Sequence, residues 1–299
     1  MRERLRKVSI DHVVLNTLYD MDEAQACLAS IGFSLTPRGY HSLGSINHLV
    51  VLKDSYLELV GLPVNTNKIR KELLEHPKGI NGLVFSEDDP ASRHARLQEM
   101  GIPVQLPQNF SRPVECSDGM LDASFTAVRI AAETFPAGRV YFCQHHTPEL
   151  VWRDEWSVHA NTAYSLAGLT VVGLDPKKDA FDYGRCIDET PEPADGGFLI
   201  RLAANRLAET ELNAEIKFIH DELYRQRFGL LSCERLMRES FFGVVNLRVT
   251  SIEAVLDSVR SSALDIRHAI FDDNTVAVSL PALNCLFEFK QECIDARFE

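Results

Sequence analysis

One arrangement, a strand followed by a helix and three more strands, recurs along this chain and limits its possible folds more than any other feature. In the first copy, a β-forming segment at 8–15 precedes a helical pattern at 21–30. Three short β-rich segments follow at 33–35, 48–52 and 56–60. This order, β-α-β-β-β, predicts a compact unit in which a helix packs against one face of a small sheet.

A second copy follows at a spacing of roughly 70 residues. Its first strand is predicted at 79–85, and its helix begins with Asp89 as the cap and Pro90 in the first turn. This helix ends at Gly101, as the first helix ends at Gly32, which fits the preference of glycine for the position after a helix. Further strands are predicted around 124–130 and 139–144.

The second half of the chain repeats the order twice more, with weaker signals. The third copy is predicted at 166–202, and the fourth begins at 242 and ends at 289. Residues 211–240 do not fit the pattern, and 213–228 within them are predicted to form an inserted helix. The repeat therefore divides the chain near residue 160, into predicted domains at 1–160 and 161–299.

Composition limits the function. The chain has 299 residues, 45% of them hydrophobic, and carries 31 basic against 43 acidic side chains, a net charge of −12. An acidic chain without a basic stripe is not expected to bind nucleic acid or an anionic membrane surface. The charged segment 1–7 is not followed by an apolar run, so we expect no signal peptide and a cytoplasmic location. The seven cysteines are never spaced C-x-x-C, which predicts reduced thiols.

Several segments together resemble the vicinal oxygen chelate superfamily, which includes glyoxalase I and the extradiol dioxygenases, and within it the glyoxalase-like domain family. The resemblance covers 8–162 best. It implies an α+β fold of two tandem paired βαβββ domains, each forming a half-open cup with divalent metal ligands on its first and last strands. The segments that carry the resemblance are Ile10–Val14, Gly32–Gly39, Tyr56–Gly61, Phe110–Val114 and Gln144–Trp152.

His12 and Glu58 match the ligand positions that the resemblance implies for the first unit. Both are polar residues inside β-forming runs, and a buried carboxylate is costly unless it is paired or bound to a metal. The first strand of the second unit offers only 81–83, without histidine. Its last strand offers Gln144 or His145, and strand alternation allows only one of them to face the cup. With His145, two histidines and one carboxylate would suit Fe, Mn, Ni or Zn.

The second domain lacks the histidines of such a site. Of the ligand positions, only Glu288 keeps a carboxylate. An extradiol dioxygenase site with iron in its second domain is therefore excluded in its usual form. We expect this domain to be a structural or a dimerising copy, so a homodimer is possible.

Three residues are candidates for binding the substrate. Arg112 could clamp a carboxylate or phosphate, Asn47 could orient an oxygen, and Trp156 could cap the cup. The resulting hypothesis is a metal-dependent lyase or isomerase acting on a small oxygen-chelating molecule, with Glu58 moving a proton. The alternative is a protein of the same fold that binds a small molecule without a metal. The sequence contains no P-loop, nucleophile-elbow or H-E-x-x-H motif.

Overall fold

The computed structural model describes residues 7–64, 70–116, 119–205 and 212–292. They form two mixed eight-stranded sheets, each built from two βαβββ units. This confirms the α+β fold with four units in two pairs. Cys293, one of the seven cysteines predicted to be reduced, lies outside the described residues.

The first sheet has the strand order β2-β3-β4-β1-β5-β8-β7-β6. Its first strands, β1 and β5, lie antiparallel at the centre, and each pairs in parallel with the last strand of its own unit, β4 or β8. Its elements are β1 (Ile10–Leu18), α1 (Met21–Ser30), β2 (Gly39–Tyr40), β3 (Ile46–Val51), β4 (Tyr56–Gly61), α2 (Lys71–Leu74), β5 (Gly79–Ser86), α3 (Pro90–Glu99), β6 (Gln108–Cys116), β7 (Gly119–Arg129) and β8 (Arg139–His145).

The second sheet repeats this topology in the order β10-β11-β12-β9-β13-β16-β15-β14. The predicted boundary near 160 lies in the connection between β8 and the next strand. The elements of this sheet are β9 (Ala163–Gly173), α4 (Pro176–Ile187), β10 (Glu192–Ala194), β11 (Gly197–Arg201), β12 (Glu215–His220), α5 (Asp221–Phe228), β13 (Ser240–Val249), α6 (Ile252–Ser261), β14 (Arg267–Asp272), β15 (Thr275–Leu280) and β16 (Cys285–Gln291).

The structure corrects two of the predicted elements. The segment 33–35 is not a strand, and the short strand β2 lies at Gly39–Tyr40 instead. The predicted helix at 213–228 is a strand followed by a shorter helix. Ile216 and Phe218 alternate into the core as β12 pairs in parallel with β9, so this segment is the last strand of the third unit.

One apolar core joins the two sheets. A single cluster of buried side chains draws on helices and strands from both halves of the chain. Phe33, for example, packs against Phe287 and Phe289 of β16, with ring centroids 6.1 Å apart in each pair. Each sheet therefore keeps a second, concave face on the side away from this shared core.

The concave face of the second sheet is filled by the chain itself. Tyr224 and Phe228 of α5 pack there in a cluster of buried side chains with Phe241 of β13. The Tyr224 hydroxyl donates to the Gly243 carbonyl (3.0 Å) and accepts from a backbone N–H (2.8 Å). Residues 221–233, part of the segment that did not fit the repeat, thus plug the second cup.

The concave face of the first sheet is open and is called the cup below. Its strands supply alternate side chains to a cavity of about 520 Å³. Among the described residues, no helix is long and apolar enough to cross a membrane.

Candidate functional site

Strand alternation places the polar residues of the cup. His12 of β1, Asn47 of β3 and Glu58 of β4 line the cavity on one side. Arg112 of β6 and Arg139 of β8 line it from the other half of the sheet. Alternate residues of each strand point towards the helices, and the residues between them, both polar and apolar, face the cavity.

Glu58 lies at the centre of the polar contacts. Asn47 Nδ2 donates to Glu58 Oε1 at 2.9 Å, and Nε2 of His12 lies 3.7 Å from the other oxygen, Oε2. Burial would raise the pKa of this carboxyl group, but His41, His12, the Asn47 hydrogen bond and Arg112 together lower it. Glu58 is therefore an ionised carboxylate inside the cavity.

His12 is oriented by its neighbour in sequence. A β-bulge between Ile10 and His12 interrupts the pairing of β1 with β5, and Asp11 lies in this bulge. Asp11 is fully buried, and its Oδ1 lies 2.5 Å from His12 Nδ1. The ring of His12 stacks on Tyr56, with centroids 4.3 Å apart. Nδ1 is thus engaged, and Nε2 is left on the side of Glu58.

The choice between Gln144 and His145 is answered by β8. Gln144 points away from the cup and donates from Nε2 to the Asp88 carbonyl at 2.6 Å. His145 shares its side of the strand with Cys143, but it does not line the cavity. Its Nε2 lies 3.1 and 3.0 Å from the two carboxylate oxygens of Asp11. His145 therefore lies behind His12, on the far side of Asp11.

Among the described residues, one group of potential metal ligands has all its ligand atoms within 4.8 Å of one another. It consists of Asp11, Cys143 and His145. Burial raises the pKa of the Cys143 thiol well above its usual value, so the sulfur is protonated. The two histidines lower the pKa of Asp11 against the effect of burial. Asp11 is already engaged by both histidines, so an ion bound by this group would have to displace those contacts.

His41 joins the cup from the loop between β2 and β3, and it was not among the predicted site residues. Its Nε2 lies 3.6 Å from Glu58 Oε1, and its Nδ1 lies 2.9 Å from the Ser45 hydroxyl. Burial lowers the pKa of His41 to about 4, although Glu58 opposes this shift. The imidazole is therefore neutral at pH 7, which is the form that binds metals.

The donor types of His12, Glu58 and His41, two imidazoles and a carboxylate, suit a divalent metal. Two ligand atoms at 2.0–2.1 Å from a tetrahedral ion lie about 3.4 Å apart. The separations of 3.7 Å from His12 to Glu58 Oε2 and of 3.6 Å from His41 to Glu58 Oε1 are each close to this value, but they reach different oxygens, and the three residues do not place one ligand atom each within 4.8 Å of one another. The Asp11 contact to His12 is the kind of outer contact that orients a metal-binding histidine. The first strand of the second unit supplies no ligand, because Gly82 occupies the position beside Val14.

The remaining predicted residues divide between the cup and its surroundings. Arg112 lies in the cavity wall and is only 4% exposed. Trp156 is not among the residues that line the cavity. It packs at the margin of the apolar cluster under the cup, with the Arg153 guanidinium 5.0 Å above its ring. The structure thus brings together four of the predicted site residues, His12, Asn47, Glu58 and Arg112, and leaves His145 and Trp156 outside the cavity.

Four βαβββ units paired into two sheets, with polar first- and last-strand residues in a cup, define a member of the vicinal oxygen chelate superfamily. Within it, the family described as "Glyoxalase-like domain" matches residues 10–185, and the chain belongs to this family. This confirms the resemblance seen in the sequence. A comparison of the sequence with curated proteins finds no match.

Solved structures share the fold at low sequence identity. A hypothetical protein from Staphylococcus aureus aligns with a TM-score of 0.60 and 12% identity over 95% of this chain and 100% of its own. A mutant of 4-hydroxymandelate synthase from Streptomyces coelicolor gives 0.53 and 11% over 96% and 94%. A xylose isomerase-like TIM barrel/4-hydroxyphenylpyruvate dioxygenase fusion protein gives 0.56 and 10% over 99% of this chain and 51% of its own. At these identities the likeness is one of fold.

Proposed function

We propose that the protein is a divalent-metal-dependent lyase or isomerase that acts on a small substrate bound in the cup through neighbouring oxygens. The observation that carries this proposal is the arrangement of Glu58 between the Nε2 atoms of His12 and His41, inside the cavity of the open cup. Two histidines and a carboxylate suit Fe, Mn, Ni or Zn and leave positions for substrate oxygens.

His12, His41 and Glu58 would hold the ion. When bound, the metal would supply a Lewis acid for substrate oxygens. Asp11 accepts the Nδ1 proton of His12, which leaves the Nε2 lone pair facing the cup. This set replaces His145 of the sequence hypothesis by His41, because His145 contacts Asp11 and not the cavity.

Glu58 is the group proposed to move the proton. It is ionised, and the Asn47 hydrogen bond fixes one of its oxygens. A carboxylate in this state can accept a proton from a carbon next to a substrate carbonyl and return it to a neighbouring atom. The apolar side chains of Leu49, Val60 and Phe125 line the same cavity.

Metal content tests the first half of the proposal. The purified chain is loaded separately with Fe, Mn, Ni or Zn, dialysed, and analysed by mass spectrometry of the metal. One ion per chain is expected for the unmodified protein and for His268→Ala, an exposed histidine of β14. His12→Ala, His41→Ala and Glu58→Gln should each lose the ion while their circular dichroism is unchanged. Retention of the ion in all three variants would overturn the proposed site.

Proton exchange tests the second half without knowledge of the substrate. The metal-loaded protein is incubated in D₂O with a set of small 2-oxo acids, and exchange at the carbon beside the carbonyl is followed by NMR. Exchange above that of the buffer is expected with at least one compound, and Glu58→Gln should abolish it. Exchange that survives in Glu58→Gln would remove this residue from the proton transfer.

A metal-free binding protein is the second candidate. The central strand of the second unit favours it, because no residue of β5 lines the cavity. In this case the chain would take up none of the four metals stoichiometrically. His12→Ala and Glu58→Gln would then bind small molecules as the unmodified protein does.

A further inference from the structure

The cup has the opposite charge to the rest of the protein. The whole chain has a net charge of −12. The cavity, however, is lined by four arginines and only two carboxylates, Glu58 and Glu72, so these six side chains leave an excess of two positive charges. The four arginines are Arg70, Arg112, Arg129 and Arg139. Positive charge focused in a cleft attracts anions.

Two of these arginines are already engaged by the protein. Arg70 donates from Nε to Glu72 (2.7 Å) and from Nη1 to the Ser45 hydroxyl (2.9 Å). Arg129 donates from Nη1 to the side-chain oxygen of Gln108 (2.6 Å). The positive charge available to a ligand therefore lies mainly on Arg112 and Arg139.

Arg112 and Arg139 each have a buried nitrogen whose N–H groups form no hydrogen bond with the described residues. The Nη2 atom of each is buried, and neither has a hydrogen-bond partner among the described residues. Arg139 donates from Nε to Asn81 Oδ1 at 3.0 Å. This hydrogen bond orients the guanidinium group but does not involve its Nη2 atom. A buried, unpaired donor on a charged group costs free energy that a ligand oxygen would recover.

We propose that the cup binds a small organic anion whose carboxylate or phosphate oxygens accept hydrogen bonds from Arg112 and Arg139. A planar guanidinium matches either group through paired N–H donors. Phe110 and Phe125, which stack with centroids 5.1 Å apart on the cavity wall, offer an apolar surface to the rest of the molecule. This inference rests on the proposed function only in taking the cup as the substrate site.

Calorimetry with matched anionic and neutral probes tests the inference. Benzoate is compared with benzamide, and phenyl phosphate with phenol, on the full chain with and without bound metal. One anion at least should bind about tenfold or more tightly than its neutral counterpart. The stronger anion of the two identifies carboxylate or phosphate as the preferred group.

Variants then locate the binding. Arg112→Met and Arg139→Met should each weaken binding of the anion by about tenfold or more. Arg112→Lys keeps the positive charge but not the paired N–H donors of the guanidinium. Its affinity for the anion should fall less than that of Arg112→Met. Arg201→Met removes an exposed arginine of β11 and should leave binding unchanged. Equal binding of anions and neutral probes, or full binding in both methionine variants, would overturn the inference.

The metal content of the same variants separates the two proposals. Arg112→Met and Arg139→Met should keep one ion per chain, because neither arginine is a proposed ligand. Anion binding that persists in His12→Ala and in chelator-treated protein would support the inference even if the metal site failed. Metal binding without any preference for anions would support the site and refute the inference.

Discussion

Replacing Asp11 by asparagine should weaken metal binding, although Asp11 contacts the proposed ligand His12 and is not itself a proposed ligand. The Asp11 oxygen Oδ1 accepts from His12 Nδ1 at 2.5 Å and from His145 Nε2 at 3.1 Å, and Oδ2 lies 3.0 Å from the same His145 nitrogen. An amide has one accepting oxygen, and its nitrogen can only donate. In Asp11→Asn the amide loses the negative charge whichever way it is turned. If its nitrogen takes the Oδ1 position, His12 must present a lone pair to the amide N–H, and the proton on Nε2 then blocks the proposed ligand atom.

The size of the effect follows from these contacts. Loss of an outer contact to a metal-binding histidine costs about 10- to 100-fold in metal affinity, or about 1.4–2.7 kcal/mol. The fully buried carboxylate also gives up charge-assisted hydrogen bonds to two rings, which should lower the free energy of unfolding by about 2–4 kcal/mol. Both quantities should fall together, because the same atoms support them.

Competition with a fluorescent chelator measures the affinity, and urea titration measures the free energy of unfolding. Asp54→Asn is the matched control, since Asp54 is also buried but bonds to Ser55 and Ser165 and does not line the cup. It should lose stability and keep its metal affinity. An Asp11→Asn protein with unmodified metal affinity would refute the argument that Asp11 orients His12.

Two further predictions concern the second half of the chain. Burial raises the pKa of Asp179 to about 6, so its folded form prefers the proton, and stability is lost as the pH rises from 3.8 to about 6. Asp179→Asn should therefore raise the free energy of unfolding at pH 7 by about 1–2 kcal/mol, with little effect at pH 4, as urea titrations at both values would show. A larger stabilisation by Asp179→Asn at pH 4 than at pH 7 would contradict this expectation. Tyr224→Phe removes a hydroxyl with two backbone partners and should lower the free energy of unfolding by about 1–3 kcal/mol in the same assay, without changing metal content. A neutral effect would mean that the plug does not depend on this hydroxyl.

Local patterns predicted most of the fold. The helix ends at Gly32 and Gly101 and the recurring strand order were sufficient to predict four units. The failure at 213–228 arose where a strand runs directly into a helix. The alternation of Ile216 and Phe218 marked the strand, but it is only six residues long and His220 caps the helix that follows at once.

The site was predictable where it depends on strand alternation and not elsewhere. His12 and Glu58 lie on strands, and their positions followed from the repeat. The orientation of β8 could also have been read from Val140 and Phe142, whose burial in the core places Gln144 on the same face. His41 lies in a loop, and loop conformation is set by contacts distant in sequence, so no periodic signal marks it.

The bulge at Asp11 was also beyond prediction from the sequence. It depends on the register between β1 and β5, and these strands are far apart in the chain. A regular strand would turn Asp11 away from the face of His12. The contact that orients His12 therefore arises from the pairing of two units and not from either one alone.

The plug in the second cup gives the two sheets different thermodynamic characters. Tyr224 and Phe228 occupy, as part of the chain, the space that a ligand would occupy in the first sheet. The occupant of the second cup is covalently attached, so it is present at every concentration of metabolite. A ligand or metal bound in the open cup would stabilise the protein by mass action through the first sheet. The second cup is therefore always filled, whereas the first cup can be empty or occupied.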